Sequence, residues 1–466
     1  MNFAELRFWE LLAGALAVVL GVRFFLKRLG RLPVEFDRWA LLFIGLTLLF
    51  AVGRTTFVIF LVVAVGTYFG LHWILRAHGR APRRYLLVFI PLQLAPLIYY
   101  KYADFVVNGV FSQQVDFLRH LVIPVGISFY TFQKVAFVLD TLALKQPLPR
   151  FLDYMNFAGF FPQIVAGPIE RRRDLLPQMQ SFRFAWKAAD VDAGAGWVAL
   201  GFFFKCGLAD NFAELFQPVP ATNAWLVWVN NVIFGLRIYY DFAGYSMIAL
   251  GLARALGIKL TLNFASPYCA ANATEFWRRW HVTLSQWFRD YVYVPLGGGR
   301  VAWWAANVLI VFLISGLWHG AGWNFGLWGV LHGAFLILHR LLGARVVLPA
   351  VAGWLLTMAA VFLAWLCFYE TSLPVLLLKL QTLFTPAGYS TANWQIARTT
   401  WAGANGFVLL CFVALAAATQ GLEWRSLRHG GEPLAALRKT PVLVALVILT
   451  VILSPGKSNG FIYFAF

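Results

Sequence analysis

The stretch Val-Leu-Ile-Val-Phe-Leu-Ile-Ser-Gly-Leu-Trp-His-Gly, residues 308 to 320, decides how the chain is read. Seven consecutive apolar residues, Val308 to Ile314, run straight into Ser315 to Gly320, which places the imidazole of His319 at membrane depth. A polar group there is costly unless it is used or paired, so His319 is a functional candidate by default; the alternative is a satisfied core histidine at a helix contact. Gly316 and Gly320 are small residues four apart that let another helix approach closely. A second histidine, His281, ends Thr-Glu-Phe-Trp-Arg-Arg-Trp-His (274 to 281). Around it Trp277, Trp280, Leu284 and Trp287 recur at helical spacing, while Arg278 and Arg279 fall mostly on the other side. That pattern predicts a helix lying in a membrane interface, where His281 could also serve as a simple anchor.

The rest of the chain agrees with a bilayer environment. With 61% hydrophobic residues, 12% charged and 20 tryptophans, the composition exceeds what the core of a soluble protein of 466 residues requires. Apolar runs recur from residue 8 to residue 454 without a long polar interruption, which predicts one integral domain over 1–466, with 263–340 as its chemistry-bearing region. The net charge of +18 would suggest nucleic acid in a soluble chain. Here the basic residues cluster in short loops, as expected of cytoplasmic loops, and no nucleic-acid partner is implied. Cys206, Cys269, Cys367 and Cys411 are scattered, with no disulfide framework or metal-ligand spacing. The first run, Trp9 to Leu26, has no basic region before it and no small-residue cleavage site after it, and is followed by Lys27, Arg28 and Arg31. It reads as a retained span rather than a cleaved signal.

A span needs about 20 apolar residues. Such runs lie at 8–27, 39–53, 55–76, 85–103 and 119–140, then near 195–216 and 223–253, the last long enough for two segments or one tilted helix. Five more follow at 303–318, 322–340, 348–369, 404–420 and 441–454. The run 151–169 contains Pro162, Gly167 and Pro168 and is followed by Arg171 to Arg173, which suits a re-entrant element buried in protein. Two basic clusters, Lys27 to Arg38 and Arg76 to Arg84, are separated by two spans and so share one side. Charge bias makes that side cytoplasmic, puts the N-terminus in the periplasm of a Gram-negative cell, and places 256–300 and the loop of Arg425, Arg428, Arg438 and Lys439 on the cytoplasmic side.

These motifs resemble the membrane-bound O-acyltransferase family, most closely its bacterial polysaccharide-acetylating branch. The matching words are Arg-Arg-Trp-His (278–281), Trp-Phe-Arg-Asp-Tyr-Val-Tyr-Val-Pro-Leu-Gly-Gly (287–298), Leu-Trp-His-Gly (317–320) and Trp-Gly-Val-Leu-His-Gly (328–333). Further matches are Pro-Val-Gly-Ile-Ser-Phe-Tyr-Thr-Phe (124–132), Phe-Pro-Gln-Ile-Val-Ala-Gly-Pro-Ile (161–169), Tyr-Tyr-Asp-Phe-Ala-Gly-Tyr-Ser (239–246) and the final Phe-Ile-Tyr-Phe (461–464). Met247 departs from it, standing where that branch leads one to expect an acidic residue. The resemblance implies an all-α polytopic membrane protein with 11 to 13 transmembrane or re-entrant helices around a catalytic tunnel. It implies that His319 is catalytic and that His281 is a second active-site residue, positioning the donor or assisting the base.

Acyl transfer to a hydroxyl needs a base near the attacking oxygen, a stabiliser for the oxyanion and a site that excludes water. Histidine supplies the base near neutral pH. Trp318 and Asn324 are accessory candidates beside His319. His332 follows His319 by thirteen residues, about 20 Å along one continuous helix, so it is expected to be packing or a remote polar contact. Asp241 lies in an apolar run and should be ion-paired, which makes it an accessory. Cys269 could carry an acyl group but has no neighbouring base in sequence, so direct transfer is preferred. Arg278, Arg279 and Arg289, with Arg171 to Arg173, offer guanidinium forks for the phosphates of coenzyme A; the bland alternative is that they set topology and bind anionic lipid. Gly297 to Gly299 is a lone glycine turn.

The resemblance therefore implies acetyl transfer from cytoplasmic acetyl-coenzyme A, with no permanently bound cofactor or metal, toward an exported polysaccharide or cell-wall glycan. It implies a periplasmic partner of esterase-like, SGNH type and a place in the bacterial inner membrane. Within the family the rival is D-alanyl transfer to teichoic acid from a carrier-protein thioester. A transporter or flippase would predict paired half-sequence repeats, and none is evident.

Overall fold

The computed structural model describes residues 3–78, 83–343, 348–457 and 459–462. Arg80 of the second basic cluster and the last two residues of Phe-Ile-Tyr-Phe lie outside them. Among the described residues the chain is helical and contains no strand, as a bilayer demands, because a helix satisfies its own backbone where no water can. Six helices among the described residues are long and apolar enough to cross a membrane: Leu6–Arg28, Arg54–Ala77, Ala188–Leu215, Trp323–Gly343, Ala350–Tyr369 and Ala404–Arg428. Shorter apolar helices, Trp304–His319 and Thr440–Leu453 among them, accompany these. The protein is a multi-pass membrane protein.

The chain forms two compact units, one of residues 1–198 with 248–261 and one of 199–247 with 262–466. In the first, the expected span at 119–140 is helical only as Asp116–Arg119 and then from Ile127 to Leu142. Pro124 disfavours helix in the residue before it, and Gly126 adopts φ +77° at a point where a Cβ would run into the backbone of Ile164 and Val165. The broken run at 151–169 forms two short helices, Phe151–Ala158 and Phe161–Ile164, and residues 152 to 172 are buried throughout. Its interrupted backbone is satisfied by side chains: the amides of Gln133 and Gln163 both donate to the Phe157 carbonyl, at 3.0 and 2.8 Å. Arg38 pairs with Asp153 at 2.6 Å and tethers this element to the Phe36–Val52 helix.

The second unit carries the histidine motifs. Trp304–His319 and Trp323–Gly343 form a tight hairpin, with Gly316 against the Phe325 carbonyl and Gly329 against the Phe312 carbonyl, where a Cβ would clash. The run at 223–253 is one helix, Ala224–Ala255, whose residues up to Met247 belong to this unit. The helix Leu373–Leu383 has no counterpart among the expected spans. It is short, opens on Pro374 and buries Lys379 against Glu370 at 2.8 Å.

Candidate active site

The interfacial helix expected across residues 274–287 is two helices instead. Asn272 caps the first, Ala273–Arg279, by accepting from the Glu275 amide at 2.9 Å, and Glu275 returns a bond to the Ala271 amide at 2.8 Å. The second is Val282–Phe288. Between them Trp280 is extended and His281 is left-handed at φ +43°, so the chain turns inward and both side chains are buried rather than interfacial. Such strain in a residue with a Cβ persists only where the surroundings hold it, and it is a mark of functional sites.

Asn263 holds it. Its Oδ1 accepts from the Thr283 amide at 3.2 Å and the Thr283 hydroxyl at 3.0 Å, and lies 3.1 Å from His281 Nδ1. A backbone N–H only donates, so that Asn263 atom is the carbonyl oxygen, and His281 must donate to it from Nδ1. The Nε2 atom then carries the lone pair. Burial pushes the His281 pKa down to about 3, so the ring is neutral near physiological pH. Sequence reading missed Asn263, because an asparagine in an apolar run carries no local signal of what lies eighteen residues on.

His319 closes the Trp304–His319 helix and is buried among Trp318, Trp328 and Phe368, with ring centroids 4.9, 5.1 and 5.2 Å away. Trp318 also meets His281, at 6.1 Å, so one indole contacts both histidines. His332 departs from its expected remoteness. The chain breaks at Gly320 to Gly322 and folds back, so Trp328 contacts His319 on one side and His332, at 4.7 Å, on the other. Trp277, at 4.9 Å, completes an aromatic surround for His332. The Asn324 amide donates to the Cys367 carbonyl at 2.8 Å, fixing the segment that presents Phe368 to His319.

A cavity of about 840 Å³ opens beside this constellation. Its walls include Trp277, Arg278, Arg289, Ser315, His339 and Arg340. Ser315 lies one helical turn before His319 on the same face. Arg340, which sequence reading did not single out, stacks over Trp304 at 4.0 Å and donates to the Gly299 carbonyl at 3.2 Å. Arg279 forms an ion pair with Glu275, and Arg289 pairs with Asp290 at 2.7 Å. Asp241 pairs with Lys205 at 2.6 Å. Burial, with Glu423 nearby, pushes the Cys269 thiol up to about 12, which leaves it without the thiolate an acyl carrier needs.

The arrangement is a buried aromatic chamber holding His281, His319 and His332, with a basic-walled cavity at its side. The chain is 34% identical over 343 residues to a peptidoglycan O-acetyltransferase of Helicobacter pylori, covering 64% of this chain and 65% of that protein. It is 33% identical over 359 residues to a probable alginate O-acetylase of Pseudomonas aeruginosa, covering 72% of this chain and 67% of the relative. A teichoic acid D-alanyltransferase of Streptococcus thermophilus is 30% identical over 235 residues, 46% of this chain and 56% of the relative. The chain thus spans about two thirds of the O-acetylating relatives, slightly less for the first. Since the family pattern of membrane-bound O-acyltransferases also matches residues 84–378, the chain belongs to the membrane-bound O-acyltransferase family.

Proposed function

We propose that the protein takes an acetyl group from acetyl-coenzyme A at the cytoplasmic face of a bacterial inner membrane and passes it outward for O-acetylation of an exported polysaccharide or cell-wall glycan. The observation that carries this reading is Trp318 in contact with both His281 and His319, with a basic-walled cavity reaching Ser315 one turn before His319. Arg278, Arg289 and Arg340 receive the donor phosphates, for which guanidinium forks are suited. His319 takes the proton of the acceptor hydroxyl as that oxygen attacks the thioester carbonyl. The carbon–sulfur bond then breaks, and the coenzyme A thiolate takes the proton back from the imidazolium. His281, fixed as the neutral Nδ1–H tautomer, orients the reactants. The relatives' O-acetyltransferase names support acetyl as the group and a glycan as its destination. The immediate acceptor is a periplasmic partner of esterase-like, SGNH type, which hands the acetyl group on to the glycan.

The test combines a gene deletion with vesicles carrying the purified protein and acetyl-labelled coenzyme A. Ester-linked acetate on the exported glycan should disappear on deletion, and label should leave coenzyme A only when the protein is present. Transfer of D-alanine from a carrier thioester, with acetyl-coenzyme A inert, would select the D-alanylating reading instead. Glycan acetylation that survives deletion, with no acyl turnover in vesicles, would contradict both.

A further inference from the structure

Within the second unit, three ionisable side chains meet in the apolar interior. Lys205 Nζ lies 2.8 Å from Asp210 Oδ1, 2.6 Å from Asp241 Oδ1 and 2.7 Å from the carbonyl oxygen of Asn459. The ammonium donates to Asp210 and to the Asn459 carbonyl, and Asp241 adds a second carboxylate charge beside it. The other oxygen of Asp241, Oδ2, accepts from the amide of Ile462 at 2.7 Å. Lys205 and Asp241 therefore grip the segment Asn459–Ile462 from both ends. The geometry of the helices serves this grip. Lys205 sits in a π-helical stretch, Phe203–Ala209, whose extra residue re-aims side chains, and Gly244 lets the two backbones approach at Gly201 and Lys205.

The gripped segment carries Phe461. Its ring stacks on Tyr245 at 4.5 Å and meets Phe242 at 5.5 Å, and Phe242 stands edge-on to His281 at 4.8 Å and 87°. Stability alone accounts poorly for such a cluster, because buried ion pairs are often replaceable by apolar side chains at no loss. What charges give that apolar residues cannot is a fixed register for a segment outside the long helices. We propose that Lys205 and Asp241 are positioning residues which, by fixing Asn459–Ile462, set Phe461 and Phe242 as the wall that orients His281 for transfer. This rests on His281 and His319 forming the active site.

The test measures kcat and donor KM on purified protein whose folding is checked by thermal transition and monodispersity. Phe461→Ala and Lys205→Met should each lower kcat about tenfold or more with donor KM held within about twofold, because the donor cavity is untouched. Combined, they should lower it scarcely further than either alone, since both act through one ring. Phe461→Trp, which restores an aromatic wall, should recover much of the rate. If Lys205→Met fails to fold, Phe461→Ala and its rescue decide the question alone. Folded variants with wild-type kcat, no rescue by Trp, or losses that multiply would overturn the proposal. His319→Gln in the same assay separates the two levels: if it is active, the site assignment fails, whereas if it is inactive beside a fully active Phe461→Ala, only the positioning role fails.

Discussion

Asn263 Oδ1 and His281 Nδ1 lie 3.1 Å apart, and the same oxygen is fixed by the amide and hydroxyl of Thr283. One buried carbonyl thus sets both the tautomer of a histidine and the turn that carries it. Asn263→Ala leaves the Thr283 amide and hydroxyl without their acceptor, a cost of about 1–3 kcal/mol. It also frees the imidazole to rotate, so kcat should fall at least about tenfold while the protein still inserts. Thermal unfolding and single-turnover rates measured together check this; an unaltered rate at lowered stability would make Asn263 purely structural.

Glu170, in the first unit, is buried and accepts from the Thr261 amide at 2.5 Å and its hydroxyl at 3.1 Å. Burial outweighs those bonds and raises its pKa to about 7 from the ordinary 4.5. The folded state therefore holds a proton between pH 4.5 and 7 that the unfolded state has lost. That contribution to stability is complete below pH 4.5 and disappears as pH rises to about 7. Glu170→Gln keeps an acceptor for Thr261 and cannot ionise. Its melting temperature should vary less than wild type between pH 5 and 7, and equal slopes for the two proteins would refute the assignment.

The arginines divide by what they face. Arg278 and Arg289 line the cavity, Arg289 while also pairing with Asp290 at 2.7 Å, whereas Arg279 pairs with Glu275 and is not among the cavity walls. Replacing either of the first two with glutamine should raise the donor KM about tenfold with little change in kcat, the loss of one charge-assisted contact. Arg279→Gln should alter stability more than KM. Donor titrations on the three variants check this, and equal KM values for all of them would mean that the cavity arginines serve topology or lipid contact.

The apolar runs that became helices were legible because a bilayer permits few other solutions, and the broken run at 151–169 announced itself through Pro162, Gly167 and Pro168. What sequence pattern concealed was tertiary. The periodicity of Trp277, Trp280, Leu284 and Trp287 ignores the left-handed turn at His281, because that turn is imposed by Asn263 from outside the run. His332 was placed far from His319 by assuming helical continuity that the Gly320–Gly322 turn interrupts. Lys205 stands inside the run 195–216 with no partner near it in sequence, since its partner carbonyl at Asn459 is 254 residues away.

The central claim is that His319 is the base for acyl transfer, and His319→Gln tests it most directly. Glutamine keeps a hydrogen-bonding side chain of similar reach but cannot take up a proton near neutral pH. A positioned general base contributes about 10²–10⁴-fold, so transfer from labelled acetyl-coenzyme A by the folded variant should fall at least about a hundredfold. His281 is already neutral down to about pH 3, so any titration of the rate near neutrality should persist in His281→Asn at its lowered kcat. Near-normal transfer by a folded, inserted His319→Gln protein would contradict the account and move the base elsewhere in the chamber.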